Sequence, residues 1–167
     1  MGRNIEVKVR LRDPRGVTAR VRALAGTEPT RQEQDDIYFS APRGRLKLRV
    51  APDGQGELIA YERPDSVGPQ LSTYTLVPTD QPDALHEALG ATLGTIGRVR
   101  KVRLLWLLGR TRLHLDQVDD LGAFLELEVV LVEGEDLAAG EAEASALLTT
   151  LEILPEDRVE TSYLDLL

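Results

Sequence analysis

Apolar and charged residues alternate one by one along five segments of this chain. In residues 4–12 every second residue is aliphatic and the residues between are polar or charged, and the alternation returns in residues 45–50, 101–104, 112–116 and 125–131. Because consecutive side chains of a β-strand point to opposite faces, this period of two predicts strands with one apolar and one charged face. The pattern is typical of a mainly antiparallel β protein.

Turn residues and shorter segments complete the β pattern. The sequence Pro-Asp-Gly at residues 52–54 separates the alternating segment 45–50 from residues 57–63, so these two segments are predicted to form a hairpin. The segment 64–72 is rich in turn residues, which fits either a flap or an ordinary loop. Two further short strands are predicted at residues 36–39 and 73–77.

Three helices are predicted between the strands. Asp13 and Pro14 suit the N-cap and the first position of a helix that ends at Gly26. Residues 83–93 and 136–151 carry apolar residues at helical spacing, although the glycine at position 140 is unfavourable inside the latter helix. The apolar stripes of these helices are expected to cover the apolar face of the sheet.

The length and composition of the chain predict one domain. A chain of 167 residues is long enough for one compact domain and short for two, so residues 1–167 are treated as a single unit. The absence of cysteine excludes disulfides, thiolate metal sites and cysteine nucleophiles. No apolar run in the sequence has the length of a membrane span, and the first residues lack a signal-peptide core, so a soluble cytoplasmic protein is expected.

The charges are unevenly distributed along the chain. The net charge is −8, but residues 1–50 sum to +6 and residues 116–167 to −14. The overall sign argues against a general nucleic-acid binder. The acidic end can be a solvated surface, or it can meet the basic first third inside the fold.

The charged face of the predicted sheet allows two interpretations. Such a face is most often solvated, but closure of the sheet into a barrel would enclose it. Two features favour enclosure. Cations and carboxylates lie in blocks on different strands, which suits a site where a hard metal ion and basic side chains hold a polyphosphate. In addition, all three lysines of the chain, Lys8, Lys47 and Lys101, fall on predicted strands.

Several segments resemble, in order, the motifs of the CYTH or triphosphate tunnel family. This family includes class IV adenylyl cyclases, thiamine triphosphatases and inorganic triphosphatases. The resemblance covers nearly the whole chain and is greatest to bacterial class IV cyclase-like and thiamine triphosphatase-like members. The matching segments are residues 4–8 (NIEVK), 34–39 (QDDIYF), 46–49 (LKLR), 61–65 (YERPD), 101–103 (KVR), 112–116 (RLHLD), 121–128 (LGAFLELE) and 162–167 (SYLDLL).

The resemblance implies a fold and a set of site residues. The fold would be α+β, a closed antiparallel β-barrel with helices packed on its outside and a charged tunnel within. Mg²⁺ or Mn²⁺ would be held by Glu6, Glu126 and Glu128, with Asp116 as a supporting acid. Glu6 and Lys8 would also take part in catalysis, while His114 has no assigned role. The triphosphate would be bound by Lys8, Arg10, Lys47, Arg49, Arg63, Lys101, Arg103 and Arg112.

One residue departs from the family pattern. The first glutamate of the E-x-E-x-K motif is Asn4, which offers a carbonyl oxygen but no charge. Either the metal is held more weakly here, or one ion is bound tightly and a second arrives with the substrate phosphates.

Three functions are compatible with these residues. A metal-dependent triphosphatase is favoured, because hydrolysis needs no base-recognition pocket and no Walker or dinucleotide glycine loop occurs in the sequence. A class IV adenylyl cyclase that converts ATP to cyclic AMP and pyrophosphate is the alternative, and a non-catalytic polyphosphate- or nucleotide-binding module is a second alternative. The partner would be ATP, thiamine triphosphate or inorganic triphosphate, without nucleic acid or membrane, and the chain would be a monomer or homodimer.

Overall fold

The computed structural model describes residues 1–64 and 69–167, so the predicted flap at residues 64–72 and the family segment at 61–65 lie partly outside the described residues. The helices in these ranges are α1 (Pro14–Ala25), α2 (Pro82–Leu93), α3 (Leu137–Thr150) and α4 (Tyr163–Leu166), and a short 3-10 turn spans Pro155–Asp157. The strands are β1 (Gly2–Arg10), β2 (Thr30–Phe39), β3 (Arg45–Val50), β4 (Gly56–Glu62), β5 (Gln70–Thr79), β6 (Thr95–Leu108), β7 (Thr111–Val118), β8 (Gly122–Val130) and β9 (Arg158–Val159).

Eight strands form a closed antiparallel barrel. Their order is β5-β4-β3-β2-β6-β7-β8-β1, and β1 closes the ring by pairing with β5 as well as with β8. Strand β1 uses its first half, Gly2 to Glu6, to pair with β5, and the short β9 pairs beside it at Lys8 and Val9. The predicted α+β fold with a closed barrel and external helices is therefore confirmed.

The predicted hairpin and its turn are present. β3 and β4 pair from Arg45↔Tyr61 to Val50↔Gly56. Gly54 adopts a positive φ of 83°, which a side chain would disfavour. The Asp53 carboxylate accepts a hydrogen bond from the backbone N–H of Gln55, 3.0 Å away. The local turn chemistry therefore fixes the register of this hairpin.

The apolar face of the barrel points outwards, and α1 and α3 cover its largest part. The main core joins alternate residues of β1, β7 and β8 to Val17 and Val21 of α1 and to Ala144 and Leu148 of α3. Gly140 lies where α3 approaches β1 most closely: a Cβ built there would stand 2.7 Å from Leu131 Cδ2 and 2.9 Å from Ile5 Cγ1. The glycine that is unfavourable by helix propensity is thus explained by packing.

Helix α2 covers a separate part of the sheet. Leu85 and Leu89 pack against a small core made by Ile37, Phe39 and Leu48. Leu93, the third residue of the predicted stripe, remains 38% exposed, because the chain turns away at Gly94 into β6. The apolar stripe of α2 is therefore one turn shorter than the sequence suggests.

The C-terminal segment closes one end of the barrel. Tyr163 of α4 packs with Tyr38, Val99, Val118 and Phe124. A capping box between Ser162 and Asp165 begins α4. The charged face of the sheet thus encloses a cavity with one end closed by this segment. Among the described residues, no helix combines the length and apolar character needed to cross a bilayer.

Candidate functional site

The inward faces of the strands line a cavity of about 670 Å³. The charged face predicted from the alternating segments is thus enclosed rather than solvated. Arg10 is exposed at the end of β1, where it donates to the Leu121 carbonyl, and it does not line the cavity. Within the described residues, the structure brings together the other predicted cations, namely Lys8, Lys47, Arg49, Arg63, Lys101, Arg103 and Arg112.

A buried carboxylate that the sequence reasoning did not single out organises three of these cations. Asp36 on β2 accepts two hydrogen bonds from the Arg49 guanidinium, both 2.8 Å, and one from Lys47 at 2.9 Å. Lys101 Nζ lies 3.7 Å from the same carboxylate. Burial opposes ionisation of Asp36, but the charges of its three partners outweigh burial and hold its pKa well below its ordinary value.

Asp116 on β7 has a similar place on the other side of β6, where Lys101 Nζ lies 4.0 Å from its carboxylate. Its two oxygens accept hydrogen bonds from Nε and Nη2 of Arg103, both 2.7 Å, and the Tyr163 hydroxyl donates another at 2.9 Å. Burial raises the pKa of Asp116, but Arg103 prevails and holds it at about 2. Asp116 was predicted to support the metal; its oxygens accept hydrogen bonds from Arg103 and Tyr163, and it lies outside the group of three side chains whose potential ligand atoms are within 4.8 Å of one another.

The lysines of the cavity lie over tyrosine rings. Lys8 Nζ is 4.1 Å and Lys101 Nζ 4.9 Å from the centre of the Tyr163 ring. Lys47 Nζ is 5.6 Å from the ring centres of both Tyr38 and Tyr61. A ring face attracts an ammonium group and fixes its position without neutralising its charge. The sequence reasoning missed these rings, although all three fall inside family-like segments.

Burial lowers the basicity of two lysines. Desolvation is the main cause that lowers the pKa of Lys101 to about 7, with the charge of Arg103 adding to it. Desolvation likewise lowers the pKa of Lys8 to about 8, against the opposing effect of Glu126. Since an anionic ligand would restore favourable interactions to both ammonium groups, the cavity is arranged to receive negative charge.

An acidic cluster with one histidine stands beside the cations. His114 on β7 pairs in register with Glu126 on β8, and Glu128 is the next inward residue of β8. One potential ligand atom from each of these three side chains lies within 4.8 Å of the others. Arg112 Nε donates to Glu128 Oε2 at 2.8 Å, and the Glu128 carboxyl group is also within hydrogen-bonding reach of Glu126. Burial lowers the pKa of His114 well below its ordinary value.

Glu6 lies next to this cluster. It pairs in register with Glu128 across β1 and β8, and its carboxylate is 3.4 Å from Arg63 Nη1. Burial first, then the charges of Glu128 and Glu126, raise the pKa of Glu6 to about 7. Burial and Glu126 also raise the pKa of Glu128. Glu126 itself stays ionised, because Lys8 and Arg103 outweigh its burial and hold its pKa well below the ordinary value.

The donor set fits a divalent cation. Carboxylate oxygens that repel one another are concentrated here, and a cation would relieve that repulsion. Two further donor atoms of the cavity wall, Asn4 Oδ1 and His114 Nδ1, are buried and have no hydrogen-bond partner in the described part of the chain. Buried polar atoms normally have partners, so these two are available to a bound group.

The sequence matches one protein family. The family model of the CYTH domain matches residues 2–163. No protein with a curated description shows significant similarity to the chain.

Several solved structures share the fold. The PH1012 protein of Pyrococcus horikoshii is similar with 23% identity and a TM-score of 0.87, covering 98% of this chain and 99% of that chain. The Hippeastrum adenylyl cyclase candidate HpAC1, described with a dominant triphosphatase activity, is 14% identical with a TM-score of 0.66, covering 97% and 91%. The RNA triphosphatase Pct1 of Schizosaccharomyces pombe is 10% identical with a TM-score of 0.56, covering 91% and 80%.

At these identities the structural similarity shows the fold alone. The family match, over residues 2–163, includes all the residues that line the cavity. The enclosed cationic cavity, the acidic cluster beside it and the match over residues 2–163 agree with one another, and the chain belongs to the CYTH domain family.

Proposed function

We propose that this protein is a metal-dependent hydrolase of an organic triphosphate. The observation that carries the proposal is the juxtaposition, inside one enclosed cavity, of basic side chains with a carboxylate cluster. Lys8 and Glu126 face each other in the register of β1 and β8, so the two groups of charges adjoin. Basic groups bind phosphate oxygens and carboxylates bind divalent cations, and a metal–triphosphate complex needs both together.

The cations are held with their charges directed to the cavity. Asp36 and Asp116 are buried behind the cavity wall, where they orient Arg49 and Arg103 by paired hydrogen bonds. Arginines fixed in this way meet phosphate oxygens without losing further side-chain freedom. Lys8 gives one hydrogen bond to the Thr161 carbonyl, 3.1 Å away, which leaves donors of its ammonium group for substrate.

The acidic cluster would hold Mg²⁺ or Mn²⁺ through Glu6, Glu126 and Glu128. When bound, the ion supplies Lewis-acid charge that offsets the negative charge of the phosphate oxygens. The arginines and lysines stabilise the remaining charge as the terminal phosphoryl group is transferred. Glu6 would also accept the proton of the attacking water, because a carboxylate beside the metal and the phosphates is placed for general-base catalysis.

An apolar mouth supports an organic rather than an inorganic substrate. Ile59 and Leu76 pair across β4 and β5 on the cavity wall, and Leu105 of β6 lies on the strand opposite β5 in the ring of eight. Leu76 is 44% exposed. The exposed part of Leu76 would be covered by a base or another ring attached to the triphosphate, while inorganic triphosphate would leave it in water.

Cyclisation of ATP is the second candidate, because the same apolar mouth would accept a nucleoside. Hydrolysis is preferred since water needs no positioning by a second pocket, and HpAC1, with the same fold, is described with a dominant triphosphatase activity. A binding module without turnover would use the cations alone.

The test is ³¹P NMR of the products formed from ATP, thiamine triphosphate and tripolyphosphate, each with Mg²⁺ or Mn²⁺. Orthophosphate is expected, faster from an organic substrate, and Glu126→Gln should remove the activity while leaving the fold intact by circular dichroism. Cyclic AMP with pyrophosphate would identify a cyclase instead. Tight binding without any product would identify a binding module.

A further inference from the structure

The two histidines of the chain have different surroundings. His86 lies on α2 outside the barrel, edge-on to Phe39 with ring centroids 6.0 Å apart. His114 lies on the inner wall, is only 3% exposed and lines the same cavity as Glu126 and Glu128. The first therefore has an ordinary packing role, and the second faces the candidate site.

The His114 imidazole lacks the partner that a buried polar group normally has. Its Nδ1 atom is fully enclosed and makes no hydrogen bond to the described residues. Two carboxylates, Glu126 and Glu128, lie near the imidazole. One potential ligand atom from each of the three side chains lies within 4.8 Å of the others. No basic side chain in residues 1–64 or 69–167 forms an ion pair with Glu126 within 4.0 Å, so this carboxylate is also open to a cation.

We propose that His114 is a nitrogen ligand of the bound metal, together with Glu126 and Glu128, and that the site therefore prefers a first-row transition cation such as Mn²⁺ over Mg²⁺. The inference rests on the metal dependence in the proposed function and deepens it. One imidazole nitrogen and two carboxylates form a mixed donor set on adjacent strands of a rigid barrel. Two adjacent strands hold such a set in fixed register, as a selective site requires.

The choice of cation follows from the donor atoms. Mg²⁺ binds oxygen ligands in a strict octahedral geometry and keeps several of its waters. Imidazole nitrogen is a better ligand for first-row transition cations, whose affinities exceed that of Mg²⁺ at mixed nitrogen and oxygen sites. A histidine in place of a further carboxylate or water therefore shifts the preference towards Mn²⁺.

The alternative role for His114 is a hydrogen bond to a phosphate oxygen of the substrate. That role requires triphosphate in the cavity and involves no bond between nitrogen and metal. The two roles differ in the absence of substrate, where only a ligand role affects the binding of a metal ion added alone.

The direct test is pulsed EPR of the full chain loaded with Mn²⁺ alone, prepared with natural and with ¹⁵N-labelled histidine. A nitrogen hyperfine coupling that changes with the label is expected in the wild type and in His86→Gln. The coupling should be absent in His114→Gln. A wild-type spectrum without histidine nitrogen coupling overturns the inference, and this result does not depend on whether any variant folds.

Calorimetric titrations with Mn²⁺ and Mg²⁺ measure the preference. Removing the hydrogen-bond partner of a metal ligand costs about 10–100-fold in metal affinity. His114→Gln removes the ligand itself, so it should weaken Mn²⁺ binding at least about tenfold and Mg²⁺ binding much less. Equal weakening of both ions, or an unchanged Mn²⁺ affinity, overturns the inference. If His114 is not a ligand but the ³¹P experiment shows metal-dependent product formation, the proposed function still stands. If the ³¹P experiment shows no metal-dependent product, the proposed function fails whatever the role of His114.

Discussion

The hydroxyl of Tyr163 donates a 2.9 Å hydrogen bond to Asp116, which ties the C-terminal helix to the inner wall of the barrel. The same ring lies beneath the ammonium groups of Lys8 and Lys101. Tyr163 therefore makes two kinds of contact. It donates a hydrogen bond to Asp116, which orients Arg103, and its ring lies against two lysines of the cavity.

Two substitutions of Tyr163 separate these contacts. Tyr163→Phe keeps the ring but removes the hydrogen bond to a buried carboxylate, so the free energy of unfolding should fall by about 1.5–3 kcal/mol. Tyr163→Leu also removes the ring face and should weaken tripolyphosphate binding more than Tyr163→Phe does. Urea unfolding and calorimetry measure the two effects. Equal tripolyphosphate affinity in both variants would show that the ring does not position the lysines.

The second prediction concerns two adjacent aspartates on β2. Asp36→Asn removes the buried charge shared by Arg49, Lys47 and Lys101, and breaking a buried ion pair in this way should cost about 3–5 kcal/mol. Asp35→Asn is the matched control, because Asp35 lies on the outer face of β2, is partly exposed, and pairs with the exposed Arg98 and Arg100. Its cost should be below about 1 kcal/mol. Similar unfolding midpoints in urea for the two variants would contradict the central role of Asp36.

Lys101 should make metal-free triphosphate binding depend on pH. Its lowered pKa of about 7 means that free protein loses this charge as pH rises through 7. An anion favours the charged form, so binding takes up a proton above pH 7, and tripolyphosphate affinity in EDTA should fall between pH 6 and 8.5.

Glu6 and Lys8 titrate in the same range and act in the same direction, since ionised Glu6 repels the anion and neutral Lys8 no longer attracts it. The contribution of Lys101 is therefore the part of the pH dependence of tripolyphosphate affinity that Lys101→Met removes. Titrations in two buffers of different ionisation enthalpy count the proton taken up. A slope that is identical in wild type and Lys101→Met would assign the whole effect to other groups.

The alternating pattern predicted the sheet and its two faces, because the period of two is a local property of each strand. It also indicated most of the cations that point into the cavity, since Lys8, Lys47 and Arg103 each lie on the charged face of an alternating segment. Ring closure is different: it depends on the pairing of β1 with β5, which joins residues distant in sequence. The blocks of opposite charge and the placement of the lysines favoured enclosure, and the family resemblance implied the closed barrel itself.

Other features of the site depend on tertiary contacts and were missed. Asp36 occupies an inward position of β2, but its importance comes from three cations carried on β3 and β6. The role of Tyr163 requires the C-terminal segment to fold back over the barrel end. The start of β6 was missed because Arg98 and Arg100 point outwards and Lys101 inwards, so charged residues occupy both faces there.

The apolar mouth provides the last prediction. Leu76→Ser should raise the KM for an organic triphosphate, because a partly exposed leucine loses the apolar contact that the organic group would cover. Full burial of such a side chain is worth about 1.5–3 kcal/mol, so the smaller contact here should change KM by roughly tenfold. Tripolyphosphate carries no organic group and should keep its KM.

The neighbouring Val77→Ser is the matched control for Leu76→Ser. Val77 is 50% exposed and, by the alternation of β5, lies on the other face from Leu76, so its replacement should change neither KM. Steady-state kinetics on both substrates with each variant give four comparisons. If Leu76→Ser raises the KM for tripolyphosphate as much as for ATP, the mouth acts on the phosphates themselves and does not distinguish organic from inorganic triphosphate.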